Sequence, residues 1–330
     1  MMKYFRKSLV WLLCAALPFG LFACTEPAAS TDGGTSGSGT TTGGTPTTTT
    51  TTTPAPPEKT ITFRDTSENG GTIGVWWWRA TDARTEMKRT QYLDFLQENQ
   101  VSEIYLHAAG MTDEQIATFI REAASRGMRV AWLVGDASWI NNKNTSPVTN
   151  YLNYQSRAAE DAKFYALHLD VEPHQLGQFK SDRSGTMQLF AEYIGLVAGM
   201  LHDAGEKVEW DIPFWMDSDR VTMDGEEIRI LEYIAKVSDT MCLMSYRDTA
   251  GSILSVSNTE ITIAKQYGCK VICGVETYSA EGDAVSFMEE GKIEMYKQLK
   301  AVYSALQMKE LDSFGLAIHQ VVKWYSLKES

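Results

Sequence analysis

FYALHLDVEPH, residues 164–174, is an apolar run that breaks into Asp170-x-Glu172 at its far end. A strand turns alternate side chains to one face, so His168, Asp170 and Glu172 are expected to point the same way. Seven further short apolar runs surround it, at 72–78, 103–109, 129–136, 208–215, 241–246, 270–277 and 314–319. Between them, apolar residues recur three and four apart, as in Tyr92, Phe95 and Leu96, or Leu189, Tyr193, Val197 and Leu201. That is the spacing of an amphipathic helix. Thr112 or Asp113 and Ser184 are placed to cap helix starts, while Gly127, Gly205 and Gly268 fall where helices should stop. Eight strands alternating with helices predict an α/β chain folded as a single (β/α)8 TIM barrel. An open doubly wound sheet would put a glycine-rich phosphate loop after the first strand, where this chain has Trp76, Trp77, Trp78 and Arg79. The alternation is weakest at 140–161, an Asn-rich stretch with room for only a short helix.

Chemistry in such a barrel gathers at the C-terminal ends of the strands. Those ends carry Trp76 and Trp78, His107, Asp136 with Trp139, Asp170 with Glu172, Asp211 with Trp215, Tyr246 with Asp248, Glu276 with Tyr278, and His319. Neighbouring carboxylates at a pocket mouth are the equipment for cleaving glycosidic bonds, and aromatic rings stack on the C–H faces of sugars. Glu172 and Asp170 are therefore the expected catalytic pair, and the other rim residues the expected substrate contacts. Trp77 faces away from Trp76 and Trp78 and is expected to pack against helices. An alternative pair is Glu172 with Glu276, ending the fourth and seventh strands. These two would act as acid/base and nucleophile if their carboxyls lie roughly 5–5.5 Å apart. The structural alternatives are a buried ion pair of Asp170 or Glu172 with Arg247, and a core role for His168 bonded to Asp170 or a neighbour. His and Asp at strand ends could bind zinc, but the first strand lacks the His-x-His of such barrels, so no metal and no cofactor is expected. A non-enzymatic alternative is a glycan-binding module that keeps the barrel without turnover.

Asp170-x-Glu172 ending the fourth strand, with Met244, Ser245, Tyr246, Arg247 and Asp248 ending the sixth, resembles family 18 glycoside hydrolases. The resemblance implies that Glu172 protonates the leaving oxygen. It implies that Asp170 orients and charge-balances the substrate's own 2-acetamido group, and that Tyr246 hydrogen-bonds the acetamido oxygen. Asp248 would contact the same sugar. The substrate class implied is a β-linked glycan containing N-acetylglucosamine. Where the family carries a further aspartate in the fourth strand this chain has His168, and Arg247 separates Tyr246 from Asp248.

The chain opens with Lys3, Arg6 and Lys7 and a short apolar stretch, the pattern of a signal peptide over 1–23. Leu21, Phe22, Ala23 and Cys24 resemble the lipobox of bacterial lipoproteins. The resemblance implies cleavage before Cys24, lipidation of its sulfur, and anchoring to the bacterial cell envelope on its extracytoplasmic side. Residues 24–59 are a Thr/Gly/Pro-rich tether that cannot bury enough apolar surface to fold, leaving 60–330 for the barrel. Without the three basic residues of the leader, 27 basic face 42 acidic residues, a net charge of −15. That balance excludes nucleic acid as a partner and leaves a glycan, with a monomer expected. Cys242, Cys269 and Cys273 fall in or beside apolar runs without metal-ligand spacing and read as buried free thiols.

Overall fold

The computed structural model describes residues 71–278 and 284–330. The expected signal segment, Cys24 and the tether lie outside the described residues. The eight expected strands form, in order: β1 (Thr72–Trp77), β2 (Glu103–Leu106), β3 (Arg129–Val134), β4 (Leu167–Leu169), β5 (Val208–Pro213), β8 (Thr240–Met244), β9 (Lys270–Glu276) and β10 (Phe314–His319). All pair in parallel and close in the cyclic order β1-β10-β9-β8-β5-β4-β3-β2, a TIM barrel. The remaining two strands, β6 (Arg220–Met223) and β7 (Glu226–Arg229), make an antiparallel hairpin after β5. Its turn is Asp224-Gly225, both at positive φ, as a tight hairpin turn requires.

Helices cover the barrel: α1 (Ala80–Arg84) and α2 (Glu86–Glu98) after β1, α3 (Asp113–Ala124) after β2, and α4 (Trp139–Asn142) and α5 (Ser146–Arg157) after β3. After β4 comes α6 (Arg183–Asp203), and after the hairpin α7 (Ile230–Val237). The circuit ends with α8 (Ala250–Val256), α9 (Asn258–Tyr267), α10 (Lys292–Gln307) and α11 (Val321–Ser326). Thr112 caps α3 in a reciprocal capping box with Gln115. The start of α6 differs from the expected Ser184: Asp182 accepts from the Gly185 amide at 2.8 Å. The stretch after β3 holds more helix than its composition predicted, because Pro147 sits in the first turn of α5, where a missing N–H costs nothing.

The strands separate two environments by their alternation. Ile73, Val75 and Trp77 of β1 point outward, and Trp77 meets Tyr92 of α2 and Phe119 of α3 edge-on at 5.6 and 5.0 Å. Gly74 and Trp76 point inward. The interior is small and polar at both ends, with Trp76, Tyr105, Ala131, Leu133, Ala166, Cys242, Ile272 and Ala317 between. Its floor is Glu103, fully buried, bonded to Lys270 Nζ at 2.6 Å and Arg129 Nη2 at 2.5 Å. Burial pushes the Glu103 carboxyl up, but the two cations outweigh it and hold it at about 2.

Gly274 of β9 makes the interior possible. A Cβ there would lie 2.7 Å from the Leu243 carbonyl oxygen and 2.9 Å from the Trp76 ring. Gly274→Ala is expected to cost about 1–3 kcal/mol by overpacking. Gly177→Ala, where a Cβ meets nothing within 4 Å, should stay within about 0.5 kcal/mol of wild type. Urea denaturation of the two variants checks the difference.

Candidate active site

Trp76 crosses the interior from β1 to the opposed strand β5, where its Nε1 donates to Asp211 Oδ2 at 3.0 Å. Asp211 also receives His168 Nε2 at 2.9 Å, and Glu209, two residues earlier on the same face, receives His168 Nδ1 at 3.0 Å. Tyr165 (3.1 Å) and Thr240 (3.1 Å) donate to Glu209 as well. With a carboxylate on each ring nitrogen, His168 is an imidazolium. Burial lowers its pKa, but Asp211 and Glu209 outweigh burial and raise it to about 10. Tyr105 stacks on the ring at 4.0 Å between centroids.

Above this triad stands Asp170, on the inward face of the chain continuing β4. Its Oδ1 is closed off from solvent and has no hydrogen-bond partner. Burial, then the Asp211 and Glu172 carboxylates, push the Asp170 carboxyl well above the usual carboxylate range. Glu172 lies one step further out, where Pro173 opens a 3-10 turn over Pro173–Gln175. That turn folds two side chains back onto it: Gln175 Nε2 donates to Glu172 Oε1 at 2.6 Å, and His174 Nε2 lies 3.1 Å from Oε2.

A second polar chain closes the rim beside β1. Trp78 Nε1 donates to His319 Nε2 at 2.9 Å, which leaves the ring proton on Nδ1, donated to Glu276 Oε2 at 2.8 Å. Glu276 Oε1 accepts the backbone amides of Thr277 and Tyr278, both at 2.8 Å. The peptide bond between His319 and Gln320 is cis. Tyr246 joins the two halves. Its ring lies 6.0 Å from His319, and its phenol is pushed up by burial and then by Glu276, Asp211, Asp170 and Glu172.

The structure therefore brings together Trp76, Trp78, His107, Asp170, Glu172, Asp211, Tyr246, Glu276 and His319, with His107 Nδ1 resting on the Trp78 carbonyl at 3.2 Å. The other rim residues have further partners of their own. Asp136 is exposed and holds its own turn through Ser138, and Trp139 opens α4 and packs against the outer core. Trp215 stacks with His174, Phe179 and the Arg183 guanidinium. Tyr278 is half exposed under Lys323 Nζ, and Asp248 is half-buried in the loop before α8. Arg247 lies over the Phe214 ring and donates to the Tyr246 carbonyl. His168 is a core histidine, but its partners are Glu209 and Asp211 on β5, not Asp170. Glu209 was missed by sequence reasoning, although Glu209-x-Asp211 repeats the period-two signal of Asp170-x-Glu172.

His168, Asp211 and Cys242 lie within 4.8 Å of one another, close enough for metal ligation. Both histidine nitrogens and both Asp211 oxygens are already engaged in hydrogen bonds, so the arrangement is complete as an ion triad. Cys242, Cys269 and Cys273 are free and buried.

No protein-family model matches the chain, and no curated protein matches it. Among solved structures it bears a distant resemblance to family 18 chitinases and other TIM-barrel glycosidases. The class V chitinase of Nicotiana tobaccum is 10% identical over 77% of this chain and 99% of that one, with a TM-score of 0.46. The spore cortex-lytic enzyme of Bacillus megaterium is 12% identical over 78% and 71%, with a TM-score of 0.49. A family 17 β-1,3-glucanosyltransferase of Rhizomucor miehei is 14% identical over 74% and 85%, with a TM-score of 0.46. The likeness is one of barrel architecture.

The raised pKa of His168 makes a stability share that is full below about 6.5, its unfolded value, and lost as pH rises through about 10. Wild-type protein is expected to lose on the order of 3–5 kcal/mol over that window from this group alone. His168→Gln should be less stable at pH 6 and nearly level across the same window. Urea midpoints from pH 6 to pH 10 check both.

Proposed function

We propose that the protein is a glycoside hydrolase acting on a β-linked glycan that contains N-acetylglucosamine, with Glu172 as general acid and Asp170 as its partner. The observation that carries this reading is the pair at the barrel's C-terminal rim: Asp170, buried with an unpartnered Oδ1, and one step further out Glu172, held between Gln175 and His174. Oε1 of Glu172 accepts from the Gln175 amide and Oε2 faces His174 Nε2 at 3.1 Å; Oε2 is the oxygen that would carry the proton the leaving group receives, with His174 beside it. Asp170 offers a buried carboxyl whose unpartnered Oδ1 can accept the N–H of a 2-acetamido group. Held in that way, the acetamido oxygen faces the anomeric carbon and displaces the leaving group as Glu172 protonates it. Water, deprotonated by Glu172, then opens the cyclic intermediate. The Tyr246 hydroxyl donates a hydrogen bond to the acetamido oxygen, and Trp76 and Trp78 supply the aromatic wall. The same reading tethers the domain to a bacterial cell envelope through lipidated Cys24 and residues 24–59.

A second reading rests on Glu276. Three donors fix its carboxylate at the end of β9, across the rim from Glu172, as a nucleophile in a double displacement would need. The two readings differ in substrate, because only the first uses the sugar's own acetamido group.

Sugar release from paired β-glycosides with and without a 2-acetamido group separates them. Turnover confined to acetamido substrates, lowered about 10²–10⁴-fold in Glu172→Gln with ligand affinity kept, is the expected result. Turnover on plain β-glycosides, abolished by Glu276→Gln, would replace it with the double displacement. Glycan binding without any turnover would make the barrel a receptor.

A further inference from the structure

The 3-10 turn after β4 returns two side chains to Glu172, Gln175 to Oε1 and His174 to Oε2. His174 is the unusual partner, because its Nδ1 is closed off from solvent with no hydrogen-bond partner. Its one engaged nitrogen, Nε2, faces Glu172 at 3.1 Å. The ring is fixed by its neighbours. Trp215, on the loop after β5, meets it at 5.2 Å and 89°, and Phe179 at 6.5 Å and 73°. The Arg183 guanidinium covers both Trp215 (5.0 Å) and Phe179 (5.2 Å). Arg183 is in turn held by both oxygens of Asp219, at 2.8 and 2.7 Å. A stack drawn from two loops and the start of α6 thus steadies one imidazole against one carboxyl oxygen.

The bare Nδ1 fixes the tautomer. If Glu172 donated to Nε2, the ring proton would sit on Nδ1 as a buried N–H without an acceptor, and such groups are rare. A doubly protonated ring would bury the same orphan. With a single proton on Nε2 the ring donates to Oε2, and only a lone pair is left unpartnered.

We propose that His174 is a positioning residue for Glu172, donating Nε2–H to Oε2 in a bond that strengthens as the carboxyl gives up its proton. This rests on Glu172 as the general acid. A protonated oxygen is a weak acceptor and a carboxylate oxygen a strong one, so the bond gains as the proton moves to the leaving oxygen. A contact that is better in the transition state than before it raises kcat and does little to substrate binding. The same donor steadies the carboxylate while Glu172 takes a proton from water. The titratable and charged groups around the pair are Asp170 and Tyr246 toward the interior, and Arg183 with Asp219 beyond Trp215.

Two variants separate the donor from the packing. His174→Phe keeps a ring against Trp215 and Phe179 but removes the donor, whereas His174→Gln loses the ring but offers Oε2 an amide. On a β-glycoside with a 2-acetamido group, His174→Phe is expected to lower kcat about tenfold with KM little changed. It should also move the alkaline limb of the pH–rate profile upward by about 0.5–1 unit. His174→Gln should recover most of both, and the His174→Phe loss should vanish in a Glu172→Gln background. An active His174→Phe beside an impaired His174→Gln would overturn the proposal and make the ring a packing element, as would full activity in both. Ring-nitrogen NMR signals of the five histidines report the bond without turnover, His174 being the signal lost in His174→Gln. Near neutral pH it should show a proton on Nε2 alone, with that signal shifted in Glu172→Gln, and a proton on Nδ1 would overturn the proposal. Turnover absent from wild type, or unaffected by Glu172→Gln, would remove the hydrolase reading and this role with it, even where the Nε2 signal is as expected.

Discussion

Buried negative charge is the constraint around which this barrel is organised. Glu103, Glu209, Asp211, Asp170, Glu172 and Glu276 all point into one narrow interior, where each carboxylate needs a compensating group. The compensation changes with height. At the floor, Lys270 and Arg129 neutralise Glu103 outright. In the middle, a single imidazolium serves both Glu209 and Asp211, aided by the Trp76 indole. At the rim the Asp170 Oδ1 has no hydrogen-bond partner, and burial pushes that carboxyl well above the usual carboxylate range. Glu276 is held by neutral donors alone. The gradient runs from saturated charge to unsatisfied oxygen, and a ligand arriving from solvent meets the unsatisfied end first.

The outer layer makes that gradient affordable. Outward residues such as Trp77, Leu106 and Leu169 bury a continuous apolar surface against the helices. The inner face is relieved of most of the work of holding the fold together. It can then carry Gly74 and Gly274, whose missing side chains admit Tyr105 and Trp76, at no loss to the hydrophobic layer. The two faces of each strand therefore divide stability from chemistry at single-residue resolution.

Alternation along one strand is a local property, and it was legible. It separated Trp77 from Trp76 and Trp78, placed His168 and Asp170 on one face, and marked all eight strands by their apolar runs. Pairing across strands is not local. That His168 would find Glu209 and Asp211 depends on β4 lying beside β5 with His168 opposite Glu209 in register, which no feature of residues 164–174 announces. The β6–β7 hairpin escaped for a different reason. Its strands contain Glu226, Glu227, Arg220 and Arg229, so it has no apolar run, and only Asp224-Gly225 gives it away. Glu172 was placed on the strand, but the 3-10 turn begun by Pro173 takes over there and supplies His174 and Gln175 as its partners.

Closure of the barrel between β1 and β10 has a consequence for how the chain is made. Thr72 pairs with Gly315 and Val75 with Ile318, so the first strand waits for the last. On the ribosome, a nascent chain that ends before residue 314 has open edges on β1 and β9 and lacks the His319 that steers Glu276. Vectorial synthesis thus yields neither a sealed sheet nor a working rim until the final strand emerges, and the intermediate with two bare edges is the form most exposed to misassociation.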